Sequence, residues 1–261
     1  MSLKGKIAFI TGGGSGLGVG IADALTEQGA DIVLADIALD KAEAAAEALR
    51  AKGFKAYSVK MDITDYDDVK AAMDKAEEMA GSLDILINNA GLTKMQNIED
   101  IREEDWDIVF DINVRGTFRC CQVFADLVKA RKGEGRIVNI ASNAAKVTFP
   151  GQAHYNASKA AIVNMTQSLA KELAPTINVN AVCPGAIDTA MLRFCMDRTI
   201  EDAPEDEKPT IEELRMAWGP SQIKRLIQPI EVGRIVAFLA SDAAYIIRGQ
   251  SISIDAGNTP Y

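Results

Sequence analysis

Short unbroken apolar runs alternate with stretches of helical period along most of the chain. Ile7 to Ile10 is one such run and Ile32 to Ala35 the next. An apolar run without polar alternation predicts a strand covered on both faces. Ala56 to Met61, Leu83 to Ile87, Arg136 to Ala141, Ile177 to Val182 and Ser251 to Ile254 extend the series. Between the runs, Leu17, Ile21 and Leu25 share one helical stripe, closed by Gly29 at C′. Residues 39–52, 65–80, 103–132, 152–173 and 231–240 predict further helices. This alternation predicts an α/β fold, a Rossmann-type doubly wound parallel sheet of about seven strands with helices on both faces. No linker or shift in composition divides the chain, so residues 1–261 are expected to form a single domain.

The alternation breaks at residues 190–228. An acidic run (Glu201, Asp202, Glu205, Asp206, Glu207), three prolines (Pro204, Pro209, Pro220) and Trp218 stand there. The stretch is too long for a tight connection and is expected to be a loop or lid over the substrate. The acidic run itself reads as a solvated face.

Composition narrows the partners. Of the 261 residues, 48% are hydrophobic and 25% charged, an ordinary globular balance. A net charge of -9 argues against nucleic acid and against an anionic membrane surface. No apolar run reaches the roughly 18 residues that span a bilayer, and no signal-peptide pattern precedes the first strand. A cytoplasmic setting is expected. Cys120, Cys121, Cys183 and Cys195 form no Cys-x-x-Cys pair, and His154 is the only histidine, so no metal site is expected. The cysteines read as reduced, mostly buried thiols.

Candidate chemistry gathers at the carboxyl ends of the predicted strands, where such sheets bind ligands. Gly12, Asp36, Asp62, Asn89, Ser142 and Pro184 fall there. The turn Thr11 to Gly18 lies between the first strand and the first helix. It presents backbone N–H groups and a helix N-terminus to a phosphate. Asp36 ends the second strand, 18 residues beyond Gly18, where a carboxylate accepts from a ribose diol and repels a 2′-phosphate. Tyr155 and Lys159, four residues apart, share one helical face. An ammonium beside a phenol favours the phenolate and makes a proton-transfer pair.

With these residues laid out, the chain resembles the short-chain dehydrogenase/reductase family over nearly its whole length. Thr11 to Gly18 is similar to the family's TGxxxGxG, with Gly12, Ser15, Gly16, Leu17 and Gly18 at the cofactor phosphates. Asn88-Asn89-Ala90-Gly91 is similar to NNAG. Asn113 stands at the family's helix asparagine, and Ser142, 13 residues before Tyr155, at its serine. Pro184, Gly185 and Thr189 match the segment that holds the nicotinamide end.

The resemblance implies roles. Tyr155 is the general acid/base, Lys159 lowers its pKa and binds the nicotinamide ribose, and Ser142 positions the substrate oxygen. Asn113 holds a water that links Lys159 to solvent. Asp62 and Ile63 contact the adenine, and Asn89, Ala90 and Gly91 the adenosine ribose region. Ile187 and Thr189 bind the carboxamide and pyrophosphate. Asn89 has a second role open to it, tying strands together, and Thr189 that of a helix N-cap. Family members that use NADP place a basic residue in the glycine turn or after the second strand. Those positions are Ser15 and Ile37 here, so NAD(H) is expected.

Thr93, Met95, Gln96, Asn143, Lys146, Gln152, His154, Gly185 and the 190–228 stretch are expected to line the substrate pocket, with Ser142, Asn143, Gln152 and Tyr155 on the substrate. Many of these are polar, which favours a small polyol, sugar or related secondary alcohol, interconverted with its ketone. A 3-oxoacyl or other carbonyl reductase is the alternative, and a non-catalytic dinucleotide sensor the reading from another class. Lys146, Arg193 and Arg198 leave an acidic substrate open. On a helix His154 points about 100° away from Tyr155 and reads as a packing residue. The resemblance also implies a homo-oligomer, a tetramer paired through the two long helices.

Overall fold

The computed structural model describes residues 2–219 and 222–259; Pro220, one of the prolines noted above, lies outside them. The strands are β1 (Ile7–Thr11), β2 (Asp31–Asp36), β3 (Ala56–Lys60), β4 (Ile85–Asn88), β5 (Gly135–Ile140), β6 (Ile177–Pro184) and β7 (Ser251–Ile254). They form a sheet in the order β3-β2-β1-β4-β5-β6-β7, with every neighbouring pair parallel. Successive strand residues face opposite sides. Ala8, Ile10, Ile32 and Leu34 enter one core layer, while Phe9, Val33 and Ala35 enter the other. Both layers are dry, which is why the strands carry no polar alternation.

The first layer is closed by α1 (Gly16–Glu27), α2 (Leu39–Ala51) and α9 (Pro229–Ala240), through residues such as Ile21, Leu25, Leu49, Val232 and Val236. The second is closed by α3 (Tyr66–Ala80), α5 (Thr117–Ala130) and α6 (Ala153–Glu172), through Val69, Met73, Cys121, Phe124 and Ala170. Burying one large apolar side chain contributes roughly 1.5–3 kcal/mol. The chain runs from β1 outward to β3, then returns to place β4 on the other side of β1. That reversal opens a crevice beyond the carboxyl ends of β1 and β4.

Two expectations are corrected. The single helix over 103–132 is three pieces: α4 (Glu103–Phe110), a π-helical turn Asp111–Gly116, and α5. Thr117 Oγ1 donates to the Asn113 carbonyl at 2.8 Å, so a side chain satisfies a group in the widened turn. The 190–228 stretch is largely helical among the described residues, not one long loop. It folds as α7 (Ala190–Asp202) and α8 (Ile211–Trp218), packed through Met196, Leu214 and Leu226. Thr189 caps α7, and Thr210 with Glu213 forms a capping box on α8. The apolar contacts are few and the intervening prolines and acidic residues break the period, so pattern alone did not register these helices. The acidic run is exposed and in part ion-paired, with Arg198 on Glu201 and Asp202, and Lys208 on Glu205.

Candidate active site

The crevice is built where β1 and β4 end. Thr11 Oγ1 accepts from Asn89 N at 3.0 Å and from Ala90 N at 2.9 Å. Asn89 Nδ2 returns bonds of 3.0 Å to both Thr11 O and Gly12 O. These bonds stitch the glycine turn to the next strand end, so the strand-tying role of Asn89 is realised. Helix α1 starts very close to this turn. A Cβ on Gly18 would lie 2.4 Å from Gly12 O, so only glycine allows the approach. Ser15 sits at the N-cap without a side-chain capping bond, which leaves the helix N-terminus to an anion. Asp36 Oδ2 accepts from Gly14 N and Oδ1 from Ala38 N, each at 3.0 Å, so the carboxylate hangs over the turn. Ile37 beside it is 63% exposed and brings no charge.

Further along the edge, Asp62 Oδ1 accepts from Thr64 N at 2.9 Å and Thr64 Oγ1 at 2.7 Å. These bonds hold its carboxyl below the usual range. Ile63 is buried against Gly116. Pro184 closes β6, and Gly185 packs on Asp255. Ile187 bridges Ile227. Thr189 Oγ1 accepts from Leu192 N at 3.3 Å, and the Thr189 methyl faces Gly16 across the crevice. An uncapped helix end, a cradle that a Cβ would fill and a carboxylate above it fit a dinucleotide.

Helix α6 carries Tyr155 and Lys159 to the end of β5. Lys159 Nζ donates to Ile140 O at 2.9 Å and lies 5.7 Å from the Tyr155 ring centroid. Burial lowers the Lys159 pKa to about 8. The Tyr155 phenol is pushed up to about 12 by burial, against a hydrogen bond from Ser142 that lowers it, with the Cys195 thiol adding a small upward push. The expectation that Lys159 lowers the phenol pKa is not met in the protein alone. The ammonium is tied to a carbonyl over the ring, and loss of solvent dominates both groups. Ser142 Oγ also accepts from Ala144 N at 3.1 Å, and Asn143 Oδ1 lies 3.4 Å from it.

Asn113 occupies the π turn. Its Oδ1 accepts from Leu92 N at 2.8 Å, and its Nδ2 donates to Leu92 O and Ser158 Oγ, each at 2.9 Å. Ser158 Oγ in turn donates to Tyr155 O at 2.8 Å. The side-chain amide therefore pins the segment after β4 to α6, with both its ends in use. A Cβ on Gly91 would lie 3.3 Å from Asn113 Oδ1 and 3.5 Å from Lys159 Nζ, so the three meet at one point.

On the substrate side, Gln152 Nε2 points at two sulfur atoms, Met95 Sδ at 2.8 Å and Cys195 Sγ at 3.9 Å. Cys195 comes from α7, and burial raises its thiol to about 11. Its place beside Gln152 was missed in the sequence, where it read only as a buried thiol; the cap residue Thr189 was the available sign that a helix follows. Lys146 turns away from the pocket, with Nζ donating to Ser251 O and Ser253 Oγ at 2.9 Å each. Arg193 and Arg198 pair with Asp197, Glu201 and Asp202 on the surface. The cations that left an acidic substrate open are thus engaged elsewhere. Thr93, Gln96 and His154 are at least partly buried, each with a side-chain atom that no protein group reaches. The cysteines are all free thiols. Among the described residues, no three His, Cys, Asp or Glu side chains gather where they could hold a metal ion, and no helix is long and apolar enough to cross a membrane.

The fold and site define a Rossmann-type α/β protein with its functional groups at the switch point of a seven-stranded parallel sheet. The chain belongs to the short-chain dehydrogenase/reductase family of oxidoreductases, with residues 6–198 matching the family described as short chain dehydrogenase. Oxidoreductase UcpA of Salmonella typhimurium is 40% identical over 260 residues, 98% of this chain and 95% of that one. The 3-oxoacyl-(acyl-carrier-protein) reductase FabG of Staphylococcus aureus is 37% identical over 254 residues, 97% of each chain. A crystal structure of actinorhodin polyketide ketoreductase with NADPH superposes with a TM-score of 0.92 at 30% identity, covering 98% of each chain. The family binds a nicotinamide dinucleotide.

Proposed function

We propose that this enzyme transfers a hydride between NAD(H) and a small polar secondary alcohol or its ketone, a polyol or sugar being the first choice. The observation that carries the reading is the half-buried Tyr155, its phenol hydrogen-bonded to Ser142, with the Lys159 ammonium against its ring. When bound, the nicotinamide supplies the hydride acceptor or donor. Gly12, Ser15, Gly16, Leu17 and Gly18 hold the pyrophosphate, with Thr189 across the crevice. Asp36 accepts from the adenosine ribose, Asp62 and Ile63 frame the adenine, and Asn89, Ala90 and Gly91 line the floor. Pro184, Gly185 and Ile187 frame the nicotinamide end.

Ser142 and Tyr155 grip the substrate oxygen. Tyr155 takes the hydroxyl proton in oxidation and returns it in reduction. With its pKa near 12 the resting phenol is protonated, which suits it to donate to a ketone oxygen. Lys159 binds the nicotinamide ribose and supplies the positive charge beside the phenol. The relay to solvent needs a water on the second lone pair of the Asn113 carbonyl, whose first accepts from Thr117 Oγ1, because the side-chain amide is fully engaged.

Asp36, with Ser15 and Ile37 uncharged, supports NAD(H) over NADP(H). The ratio of kcat/KM for the two cofactors tests this. We expect at least about tenfold preference for NAD, about 1.4 kcal/mol, and its reversal by Asp36→Ala with Ile37→Arg; equal use by the native enzyme sinks the assignment. A second reading, a reductase of more apolar ketones, is favoured by the sulfur lining from Met95 and Cys195. A panel of polyols, ketoses and apolar ketones read by NADH absorbance separates the two. Trp106, Ile108 and Phe118, exposed on α4 and α5, support a homo-oligomer, a tetramer, that light scattering would detect. Free thiols support a cytoplasmic setting.

A further inference from the structure

Asp105, in the first turn of α4, is 1% exposed. A buried carboxylate is kept only where donors surround it. Asp105 gathers four hydrogen bonds. Arg102 Nη2 (3.1 Å) and Lys94 Nζ reach Oδ1, and Arg102 Nε and Gln96 Nε2 (2.9 Å each) reach Oδ2. These donors hold the carboxyl far below the usual carboxylate range. Arg102 comes from the same end of α4 and is exposed, so its pair adds little to the fold. Lys94 and Gln96 are half-buried and come from the segment that follows β4. The carboxylate therefore ties that segment to α4.

The segment has few other holds. At one end the Asn113 amide pins both backbone groups of Leu92. At the other, Gln96 N donates to Gly151 O at 2.8 Å. Among the described residues, no hydrogen bond reaches the backbone of residues 93–95. The Lys94 ammonium has Asp105 as its ion-pair partner. Gln96 Oε1 is buried without a partner. The Gln96 amide is thus oriented by Asp105, with a long 3.5 Å contact to Asp100 O beside it.

Met95 stands between these two side chains. Its neighbours go to Asp105, while its own sulfur meets Gln152 Nε2 on the substrate side. Holding both neighbours holds Met95. An asparagine at 105 would keep the volume but remove the charge and turn one acceptor edge into a donor. That edge would face a cation or the Gln96 amide, and one of them would have to leave.

We propose that Asp105 is a positioning residue: through Lys94 and Gln96 it sets Met95 against Gln152 and so shapes the substrate side of the pocket. The proposal rests on the reading of Tyr155 as the reacting site.

The test uses the full-length enzyme and the compound it turns over with the highest kcat/KM in the panel of polyols, ketoses and apolar ketones. Asp105→Asn should raise KM for that compound about tenfold, with kcat within about threefold and the Kd of NADH within about twofold. A general loosening of the fold would move all three. Met95→Ala completes a double-mutant cycle: in its background, Asp105→Asn should change KM by less than about twofold. Two readouts need no substrate. Hydrogen-exchange protection of the Gln96 amide should fall about tenfold in Asp105→Asn. The Met95 methyl resonance, assigned by its loss in Met95→Ala, should shift. An unchanged KM, additive effects in the cycle, a Kd of NADH that rises with KM, or an unmoved Gln96 amide and Met95 methyl would overturn the proposal. If Asp105→Asn does not fold, Lys94→Ala with Gln96→Leu frees the segment while leaving Arg102 on Asp105, and the same KM and methyl readouts decide. Absence of turnover with every alcohol and ketone defeats the reading of Tyr155 instead, and the exchange and methyl signals still decide this one.

Discussion

Lys159 shows a buried charge held at a cost to stability. Its ammonium is almost fully buried with one carbonyl partner, and its pKa falls from 10.5 to about 8. That shift corresponds to roughly 3 kcal/mol of penalty while the group is charged. The penalty is complete below pH 8 and fades as pH rises to 10.5, so this residue alone makes the fold more stable over that window. Lys159→Met should raise the stability of the cofactor-free protein at pH 7 by about 1–3 kcal/mol and erase activity. Denaturant unfolding at pH 7 and pH 10 checks it; a variant less stable at pH 7 contradicts it. At this scale the sequence was informative where chemistry demands a residue type at a spacing. Tyr155, Lys159, Ser142 and Asp36 were singled out by their intervals together with the family resemblance. It was uninformative where the environment decides. Nothing in the string says that burial outweighs the ammonium at Tyr155, or that the Asn113 amide is spent on Leu92 and Ser158.

Elements place these residues through a few close contacts. Helices α1 and α9 cross at two glycines. A Cβ on Gly233 would lie 2.4 Å from Gly20 O, and one on Gly20 would lie 2.4 Å from Pro229 Cβ. Gly233→Val should therefore push α9 off α1 and cost about 3 kcal/mol, with a matching loss in melting temperature; a change under about 0.5 kcal/mol would mean the crossing is slack. Strands and the first helices were legible because both faces of the sheet are dry and each helix has a full apolar stripe. The π turn was not, because a single extra residue per turn leaves the apolar pattern of 103–132 nearly unchanged. Helices α7 and α8 were not, because their cover is thin and their neighbours are prolines and carboxylates. Cys195 was lost with them, although it is the α7 residue beside Gln152.

Across the whole molecule, the parallel sheet brings all seven strand ends to one edge, where the motifs run in the order Asp62, Asp36, Gly12, Asn89, Ser142 and Pro184. That is why fold class and cofactor crevice could be argued from the alternation and from the residues after each run. The substrate side draws instead on α7 and residues 92–105, whose placement depends on long-range packing and on Asp105. The proposed chemistry converges on one phenol. Tyr155→Phe tests it most directly, in stopped-flow turnover of the best substrate with NADH binding measured alongside. The account predicts a fall in kcat of about 10³-fold with NADH affinity within about twofold. Turnover within about tenfold of the native enzyme would contradict it.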